Sequence, residues 1–399
     1  MIRGKKIKSL VFVSLALVLA LSLVAGACAP AAPEEVAEEV AALESKLATE
    51  KSKVSSLQGE VSDLEDEVAD LEDEITGLRA PAEVFEWKFQ TWATPGDIDF
   101  AGYQLSIEAL KAASDGRIDI ELFGVGVLVG GVEAIEAEGA GIIDGSFAFG
   151  GYYSGYDFAF GVAGSPGCLF PDFRTHTLWF EEFGGTELMR ELYGGYNIYY
   201  VCPIELVSEA INSVVPIRNL DDLQGLKIRL GGGGFCAEVF TKAGAVVHFI
   251  SGGEIYSALD TGLVEAGEFV GPTTNWALGL HEVSDYVLWP APHNRTIYTE
   301  LTLNMDVWEG LPDDLKALLH AARHTISANN HYRIMAADIE TIDAMVAYGL
   351  EHTVFAPESW KVLEELSFEV ALESKGKSPM SERMITSQLD LLEHLGYID

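Results

Sequence analysis

The sequence is short of positive charge. Only 25 Lys and Arg residues stand against 62 Asp and Glu in 399 residues, which gives a formal net charge of −37. A chain this acidic is repelled by nucleic acid and by anionic lipid surfaces, so we expect neither as a partner. Its 48% hydrophobic content with 40 glycines indicates a globular chain, and its length allows two domains.

Cysteine is also scarce, with four residues in all. Cys28 follows Ala25-Gly26-Ala27 at the end of an apolar run that four basic residues precede. This order predicts a bacterial lipoprotein signal over residues 1–27, cleaved before a lipid-bearing Cys28, with a short spacer over residues 28–33. An ordinary signal peptide and an uncleaved anchor helix are the alternatives. We therefore expect an extracytoplasmic, membrane-anchored protein.

That compartment bears on the other three cysteines, Cys168, Cys202 and Cys236. An exported chain permits one disulfide among them and leaves one thiol free. The sequence does not choose the pair.

Common enzyme motifs are missing too. The sequence has neither a Gly-x-Ser-x-Gly nucleophile elbow nor a complete Gly-x-x-x-x-Gly-Lys-Ser/Thr phosphate loop. His320 and His324 have the i, i+4 spacing of helical metal ligands, with His331 further along, but Ala321 stands where the zinc-protease motif needs Glu. The glycines at 231–234 fit a loose dinucleotide fingerprint in one register, yet an exported chain rarely meets such a cofactor. We therefore predict no enzyme, no cofactor and no metal at these histidines.

Residues 34–78 carry a heptad repeat. Their apolar residues alternate steps of three and four, with one gap at Glu50. Val or Ile at most a positions with Leu at d favours a parallel two-stranded coiled coil. The alternative is a long single helix, because Asp and Glu crowd residues 60–74 without any Lys or Arg and would repel a partner. We expect an acidic coiled-coil stalk over residues 34–79, a homodimer through it, and a boundary at Pro81.

The remaining residues, 83–399, alternate strand and helix patterns. Strand patterns at 84–92, 116–123 and 142–149 have helical patterns between them, which predicts right-handed crossovers and a parallel sheet. The fold class is therefore α/β. Further elements are expected as strands at 198–205, 227–230, 263–270 and 297–304, a long helical region at 306–350 opened by Pro312, and terminal helices at 358–373 and 382–394.

One arginine stands beside a glycine-rich turn. The strand pattern at 227–230 runs into four glycines, and a helical pattern follows at 235–243. Between Lys227 and Arg295 the only other basic side chains are Arg229 and Lys242. Open α/β sheets bind ligands at the carboxyl ends of their strands, and the planar fork of Arg matches a carboxylate. Backbone N–H groups at such a turn also favour an anion. We predict that Arg229 binds a carboxylate; a surface Arg at a strand end is the alternative.

Several motifs in sequence order resemble a known family. Gly225-Leu-Lys-Ile-Arg229, Gly244-Ala245, Gly253-Glu-Ile-Tyr256 and Glu268-Phe-Val-Gly-Pro272 are similar to the signature of the solute receptors of TRAP (tripartite ATP-independent periplasmic) transporters, of the DctP type. The resemblance covers about residues 85–398. It implies a two-lobed periplasmic-binding-protein-like fold with a ligand cleft between the lobes and a long lobe-spanning helix. It also implies a receptor that closes on a small organic acid and delivers it to TRAP membrane subunits.

The resemblance also implies where the ligand contacts lie. Arg229 would grip the carboxylate, and Glu268 and Phe269 would line the opposite side of the pocket. Family members have aromatic first-lobe contacts near Trp92, Tyr152 and Tyr153, although core packing is the commoner fate of such residues. Three further candidates complete the set: Glu209 and Asn212, on the approach to the Arg-bearing strand, and His293, in an exposed-looking Pro-His-Asn turn where a lone His is more often structural.

The sequence departs from one subgroup of that family. Receptors for 2-oxo acids carry a Gln before a Gly-Gly-Trp-Phe run, and hold sodium with that Gln and a Glu-Trp pair. This chain has Ser208 or Glu209 in place of the Gln, lacks the run, and has Phe269 in place of the Trp. Glu268 is retained, and a buried Glu that faces a bound carboxylate needs a cation or a proton between them. Sodium or another cation beside Glu268 therefore stays open, although no metal site is predicted.

Two other functions stay open as well. The same receptor could feed an ABC permease or a sensor, which the neighbouring genes would decide. Alternatively, the heptad segment is the working part of a coiled-coil surface assembly protein, and the cleft is vestigial.

Overall fold

The computed structural model describes residues 33–78, 83–231 and 234–398. It divides into two compact units, residues 1–82 and 83–399. The predicted leader, the lipidation site at Cys28 and the Pro81 boundary lie outside the described residues, as do Gly232 and Gly233 of the glycine turn. Within the described ranges, none of the helices combines the length and the apolar character needed to cross a bilayer.

The first unit contributes one long helix, α1 (Pro33–Leu78). Its 46 residues would extend about 70 Å at 1.5 Å per residue. Most of the heptad's apolar side chains between Val40 and Leu71 lie open to solvent in the single chain; Leu43 is 58% exposed and Leu64 59%. The helix itself is confirmed, and its pairing with a second chain stays a prediction.

The second unit is built from two sheets with helices around them. Its strands are β1 (Phe85–Thr91), β2 (Ile118–Phe123), β3 (Gly145–Ala148), β4 (Ile198–Glu205), β5 (Ile211–Ser213), β6 (Lys227–Arg229), β7 (Val246–His248), β8 (Ala266–Glu268), β9 (Tyr286–Leu288), β10 (Tyr298–Asn304) and β11 (Glu351–Thr353). Its α-helices are α2 (Ile98–Ala113), α3 (Ala134–Gly139), α4 (Ala159–Gly164), α5 (Phe173–Glu182), α6 (Gly185–Gly194), α7 (Phe235–Lys242), α8 (Ile255–Asp260), α9 (Pro272–Ala277), α10 (Met305–Gly310), α11 (Asp313–Tyr348), α12 (Pro357–Ser374) and α13 (Pro379–His394).

The first sheet, with strand order β2-β1-β3-β10-β4, forms the first lobe. Strand β1 pairs in parallel with β2 and β3, as the alternation of strand and helix patterns predicted. Strand β10 lies antiparallel to β3 and β4. The late strand reaches this sheet because the chain leaves the first lobe after β4 and returns after β9.

The second sheet, with order β11-β9-β5-β8-β6-β7, forms the second lobe. Strand β6 pairs in parallel with both β7 and β8, and Arg229 lies opposite Gly267 in that register. The carboxyl ends of β6 and β8 therefore meet at one edge of the sheet. This topology brings Arg229 and Glu268, the last residues of the two strands, together.

The predicted helical region at 306–350 is two helices. Helix α10 ends at Gly310 and α11 begins at Asp313, with Leu311 and Pro312 in extended backbone between them. The break follows from proline, which lacks an N–H and disfavours helical backbone in the residue before it. Helix α11 packs against β4 and α2 of the first lobe and against α9 of the second lobe, so it does span both.

The three cysteines of the second unit are free and buried. The Cys168 thiol donates to the Pro292 carbonyl over 3.0 Å, and the Cys236 thiol donates to the His293 carbonyl over 2.8 Å. Burial raises the pKa of Cys168 to about 12. The disulfide that an exported compartment would permit is therefore not formed in this structure.

Candidate functional site

Arg229 is buried in the cleft between the lobes, with 1% of its surface exposed. Its Nε donates to the Ile250 carbonyl over 2.9 Å, and its Nη1 donates to Glu268 Oε1 over 3.1 Å and to the Glu268 carbonyl. These bonds fix the plane of the guanidinium. They leave Nη2 as the guanidinium nitrogen that can donate to a bound molecule.

Glu268 is the partner of Arg229 and is itself 3% exposed. Its Oε1 also accepts a hydrogen bond from the backbone N–H of Gly231, the first residue of the glycine turn. That N–H was expected to meet an external anion, and it binds Glu268 instead. Burial raises the pKa of Glu268 above its ordinary value, although the charge of Arg229 acts in the opposite direction.

His293 and Glu209 form a second buried pair. His293 Nε2 and Glu209 Oε2 lie 2.6 Å apart, and the expectation of an exposed turn at His293 is wrong because its residue is 2% exposed. The turn is drawn inward where the Cys236 thiol binds the His293 carbonyl. Burial by itself lowers the pKa of His293, but the Glu209 carboxylate outweighs it and raises that pKa above its ordinary value.

The two pairs together form a compact ionic cluster. Single donor atoms of Glu209, Glu268 and His293 lie within 4.8 Å of one another, close enough to hold one metal ion. Carboxylate oxygens suit Ca²⁺ and similar hard cations, and imidazole suits transition metals. Sequence reasoning considered Glu268 alone as a cation ligand, because residues 209 and 293 meet it only in the tertiary structure.

The first lobe contributes an aromatic wall to the cleft. The Trp92 indole N–H donates to the Tyr103 hydroxyl over 3.1 Å, and that hydroxyl lies 3.1 Å from Thr299 Oγ1. These contacts orient the Trp92 ring toward Phe269 of the second lobe, and the two centroids are 6.0 Å apart. The Phe269 ring also lies 5.8 Å from the Arg229 guanidinium carbon, within the range of a cation–π contact.

Two of the predicted contact residues lie elsewhere. The Tyr153 ring packs edge to face against Phe160 and Tyr193 in the core of the first lobe, whereas its neighbour Tyr152 lines the cleft. Asn212 is fully buried in the second sheet, where it donates to Ser284 and accepts from Asn275. Asn212 lies in β5, where adjacent residues face opposite sides of the sheet, whereas Tyr152 and Tyr153 lie in a 3-10 turn over Gly150–Tyr153. In neither place did the sequence pattern fix which residue faces the cleft.

The histidines of α11 have separate partners and form no common site. His320 Nε2 lies 3.2 Å from the Tyr199 hydroxyl, and His331 Nδ1 lies 2.5 Å from the Leu206 carbonyl. Arg323 Nε donates to His324 Nε2 over 3.3 Å. Across the described ranges, the group that brings three metal-ligand types together is Glu209, Glu268 and His293.

The cleft has two chambers that meet at Arg229. The inner chamber has a volume of about 30 Å³ and contains the ionic cluster. Its lining residues are Trp92, Phe149, Tyr152, Ser165, Leu206, Glu209, Arg229, Leu230, Gly231, Cys236, Glu268, Phe269, Val270, His293, Asn294, Ile297 and Thr299.

The outer chamber has a volume of about 160 Å³ and lies toward the rim, where several of its side chains are exposed. It shares Trp92, Tyr152, Arg229 and Phe269 with the inner chamber. The residues that line it alone are Thr94, Val125, Gly131, Val132, Glu133, Phe249, Ile250, Ser251, Gly252, Gly253 and Leu278.

Sequence reasoning missed Asn294, whose Nδ2 donates to Ser165 Oγ over 2.6 Å in the inner chamber. Its buried Oδ1 and the buried Nδ1 of His293 have no hydrogen-bond partner within the described residues. Buried polar atoms are normally paired, so both are free to bind an occupant of the chamber. The sequence offers one hint of its role, because Asn294 directly follows the candidate residue His293.

Residues 89–374 match the family model of the bacterial extracellular solute-binding proteins, family 7, known as DctP. A monocarboxylate 2-oxoacid-binding periplasmic protein from Nostoc sp. is 27% identical over 285 residues, which are 70% of this chain and 76% of the relative.

Solved structures show the same two-lobed fold. A TRAP periplasmic solute-binding protein from Rhodobacter sphaeroides, in an apo open structure, is 25% identical with a TM-score of 0.64, over 78% of this chain and 99% of its own. A TRAP transporter solute-binding protein from Bordetella bronchiseptica, with copurified calcium and picolinate bound, is 24% identical with a TM-score of 0.72. The match covers 79% of this chain and 93% of the Bordetella chain.

Proposed function

This chain belongs to the DctP family, bacterial extracellular solute-binding protein family 7, and on that premise we propose that it captures a small carboxylate outside the cytoplasm and delivers it to a TRAP-type transporter. The observation that carries the proposal is Arg229, a buried guanidinium with one free edge in the cleft between the lobes. In a site with little water, such an edge binds a carboxylate strongly and with defined orientation.

The residues around Arg229 take separate roles in this proposal. Trp92 and Tyr152 close on the ligand from the first lobe, and Phe269 from the second. His293 and Asn294 supply unpartnered polar atoms in the inner chamber, which bind the inner end of the ligand's carboxylate directly or through a water molecule. The family is one of binding proteins, and we propose that the solute leaves the cleft chemically unchanged.

A cation fits beside the ligand. A bound carboxylate would add negative charge to a cluster that already holds Glu209 and Glu268 against Arg229 and His293. A cation held by the Glu209 and Glu268 carboxylates, with the His293 imidazole as a third ligand once it has lost its proton, would offset it. The Bordetella bronchiseptica protein has copurified calcium and picolinate in its site, which supports a cation beside a bound carboxylate here.

We also propose that residues 1–27 direct export, that Cys28 carries the lipid anchor and that α1 is a coiled-coil stalk. The exposed heptad residues of α1 support pairing with a second copy. The stalk would hold residues 83–399 away from the membrane while leaving the cleft open to solute.

A thermal-shift screen of the purified chain tests the receptor function. The panel contains mono- and dicarboxylates, 2-oxo acids, sugar acids and amino acids, each with and without sodium or calcium. A ligand at about 100 times its dissociation constant stabilises the native state by about 2.7 kcal/mol, which gives a visible rise in Tm. A rise with an organic acid that disappears in Arg229→Ala supports the proposal. The absence of a rise with every acid would contradict it.

A further inference from the structure

The outer chamber is nearly bare of charge. Apart from Arg229 at its inner end, the one charged residue among the described residues that line it is Glu133, an acid at the rim. A second carboxylate on the ligand would meet no cation there and would be repelled by Glu133. Among the described lining residues, the other polar side-chain groups are the hydroxyls of Thr94, Ser251 and Tyr152 and the Trp92 indole N–H, which already donates to Tyr103. They are too few to replace the water around a sugar acid.

Its walls are apolar and largely aromatic. Trp92 and Tyr152 stand on the first-lobe side, and Phe249 and Phe269 on the second-lobe side. Val125, Val132, Ile250 and Leu278 fill the spaces between these rings. Aromatic rings prefer offset or edge-to-face neighbours, and this set offers them from both sides.

The volumes of the two chambers indicate which part of a ligand each chamber can hold. The inner chamber, at about 30 Å³, has room for about two water molecules or for a cation and one water. The outer chamber, at about 160 Å³, matches the roughly 150 Å³ at which an apolar cavity takes up benzene. A carboxylate on Arg229 therefore has room for its remaining atoms on the outer side only.

We propose that the physiological ligand is a monocarboxylate whose carboxylate binds Arg229 and whose aryl or branched alkyl group fills the outer chamber. This inference rests on the proposed function and names the ligand class of the same cleft. Dicarboxylates and sugar acids are poor ligands, because the outer chamber offers neither the cation nor the hydrogen bonds that they need.

Isothermal titration calorimetry of the full chain with matched acids tests this. The pairs are acetate with phenylacetate and pyruvate with phenylpyruvate, and succinate serves as the dicarboxylate. We expect each aryl acid to bind at least about tenfold more tightly than its short partner, since one methylene in an apolar pocket is already worth about tenfold. Succinate should bind no better than acetate.

Substitutions in the outer chamber test whether it causes the preference for aryl acids over short acids. Val132→Trp fills the outer chamber and should lower the aryl-to-short affinity ratio toward one. Val127→Trp, at an exposed valine that does not line the chamber, is the matched control and should leave the ratio unchanged. If Val132→Trp does not fold, Phe249→Ala removes a 57% exposed ring of the same wall and should also lower the ratio.

The outcomes separate the two proposals. Short acids or succinate binding as tightly as the aryl acids, with all binding lost in Arg229→Ala, would overturn the ligand class and leave the receptor function standing. No binding of any of these acids would overturn the ligand class, and the wider thermal-shift panel then decides the receptor function separately.

Discussion

Trp92 of the first lobe and Phe269 of the second lobe meet edge to face across the cleft, with ring centroids 6.0 Å apart. Each ring is also anchored within its own lobe, Trp92 by its bond to Tyr103 and Phe269 by its position over Arg229. The pair therefore joins the lobes at the point where the two chambers meet. Closure of the receptor depends on contacts of this kind.

We expect the contributions of Trp92 and Phe269 to acid binding to be energetically coupled. Trp92→Ala and Phe269→Ala should each weaken acid binding and speed acid release, because each removes a wall of the closed cleft. In a double-mutant cycle the two losses should be non-additive by about 0.5–1.5 kcal/mol, the usual value for an aromatic pair. Titration calorimetry and stopped-flow release measure both effects, with Trp360→Ala, outside the cleft, as control. Purely additive losses would show that the rings act independently.

Arg229 should dominate carboxylate affinity. Arg229→Ala should weaken acid binding by about 2–5 kcal/mol, the usual effect of removing one partner of a buried ion pair. Arg229→Lys should recover only part of this, because an ammonium lacks the planar fork. Arg218→Ala, which breaks an exposed pair with Glu351, is the matched control and should bind acid normally. Unchanged acid affinity in a folded Arg229→Ala protein would remove Arg229 from the site.

The ionic cluster predicts cation-dependent binding. Acid affinity should fall after exhaustive chelation and return with calcium, because the cation offsets the charge that Glu209, Glu268 and the ligand bring together. Glu209→Gln should abolish the calcium response, whereas Glu205→Gln, outside the cluster, should keep it. Titration of acid with and without about 1 mM calcium, the upper end of the dissociation constants of extracellular calcium modules, measures the effect. Equal affinity in both conditions would leave a proton, not a cation, beside the ligand.

Asp99 predicts a pH-dependent stability. It lies fully buried at the contact between α2 and α9, where its Oδ2 accepts from Thr274 Oγ1 over 2.9 Å and its Oδ1 has no partner among the described residues. Burial, with the charges of Asp97 and Asp338, raises its pKa from 3.8 to about 8. The folded state thus holds a proton that the unfolded state releases above pH 3.8, so stability falls as the pH rises from 3.8 to about 8.

Asp99→Asn should remove that part of the pH dependence. The variant should gain stability over the parent as the pH rises from 5 to 8, by at most about 1.4 kcal/mol per pH unit. Urea unfolding at the two pH values measures the gain, and Glu108→Gln, exposed on the same helix, is the control. An equal difference at both pH values would mean that Asp99 is already ionised in the folded state.

The stalk predicts salt-dependent dimerisation. In a parallel pair, Glu60 at a g position would face Glu65 of the partner at an e position, so repulsion opposes pairing through the apolar seam. Salt screens exposed charges, so sedimentation equilibrium should show a tighter dimer at 0.5 M than at 0.05 M salt. Leu64→Lys, at a d position, should keep the chain monomeric at both. A parent chain that stays monomeric at high salt would leave α1 a single helix and would also remove the surface-assembly function.

Local structure and the basic residue at the centre of the site, Arg229, could both be read from the sequence alone. Hydrophobic periodicity predicted α1, the βαβαβ start of the first lobe and the terminal helices, because side-chain burial repeats with the period of each element. The isolation of Arg229 in an acidic chain indicated that it binds a carboxylate, and the order of the motifs around it indicated the family. Pro312 also signals a helix start, but we predicted one helical region over 306–350 where the structure has two helices.

The set of residues that share the cleft depends on long-range packing and could not be read from the sequence. Glu209 and His293 are 84 residues apart and meet because they lie on the two segments by which the chain leaves the first lobe after β4 and returns to it after β9. Tyr152 faces the cleft while Tyr153 packs in the core, a choice made by contacts with Phe160 and Tyr193. The volume of each chamber is likewise set by side chains from both lobes. Local patterns specify elements, whereas cavities arise from long-range packing that no single stretch of sequence contains.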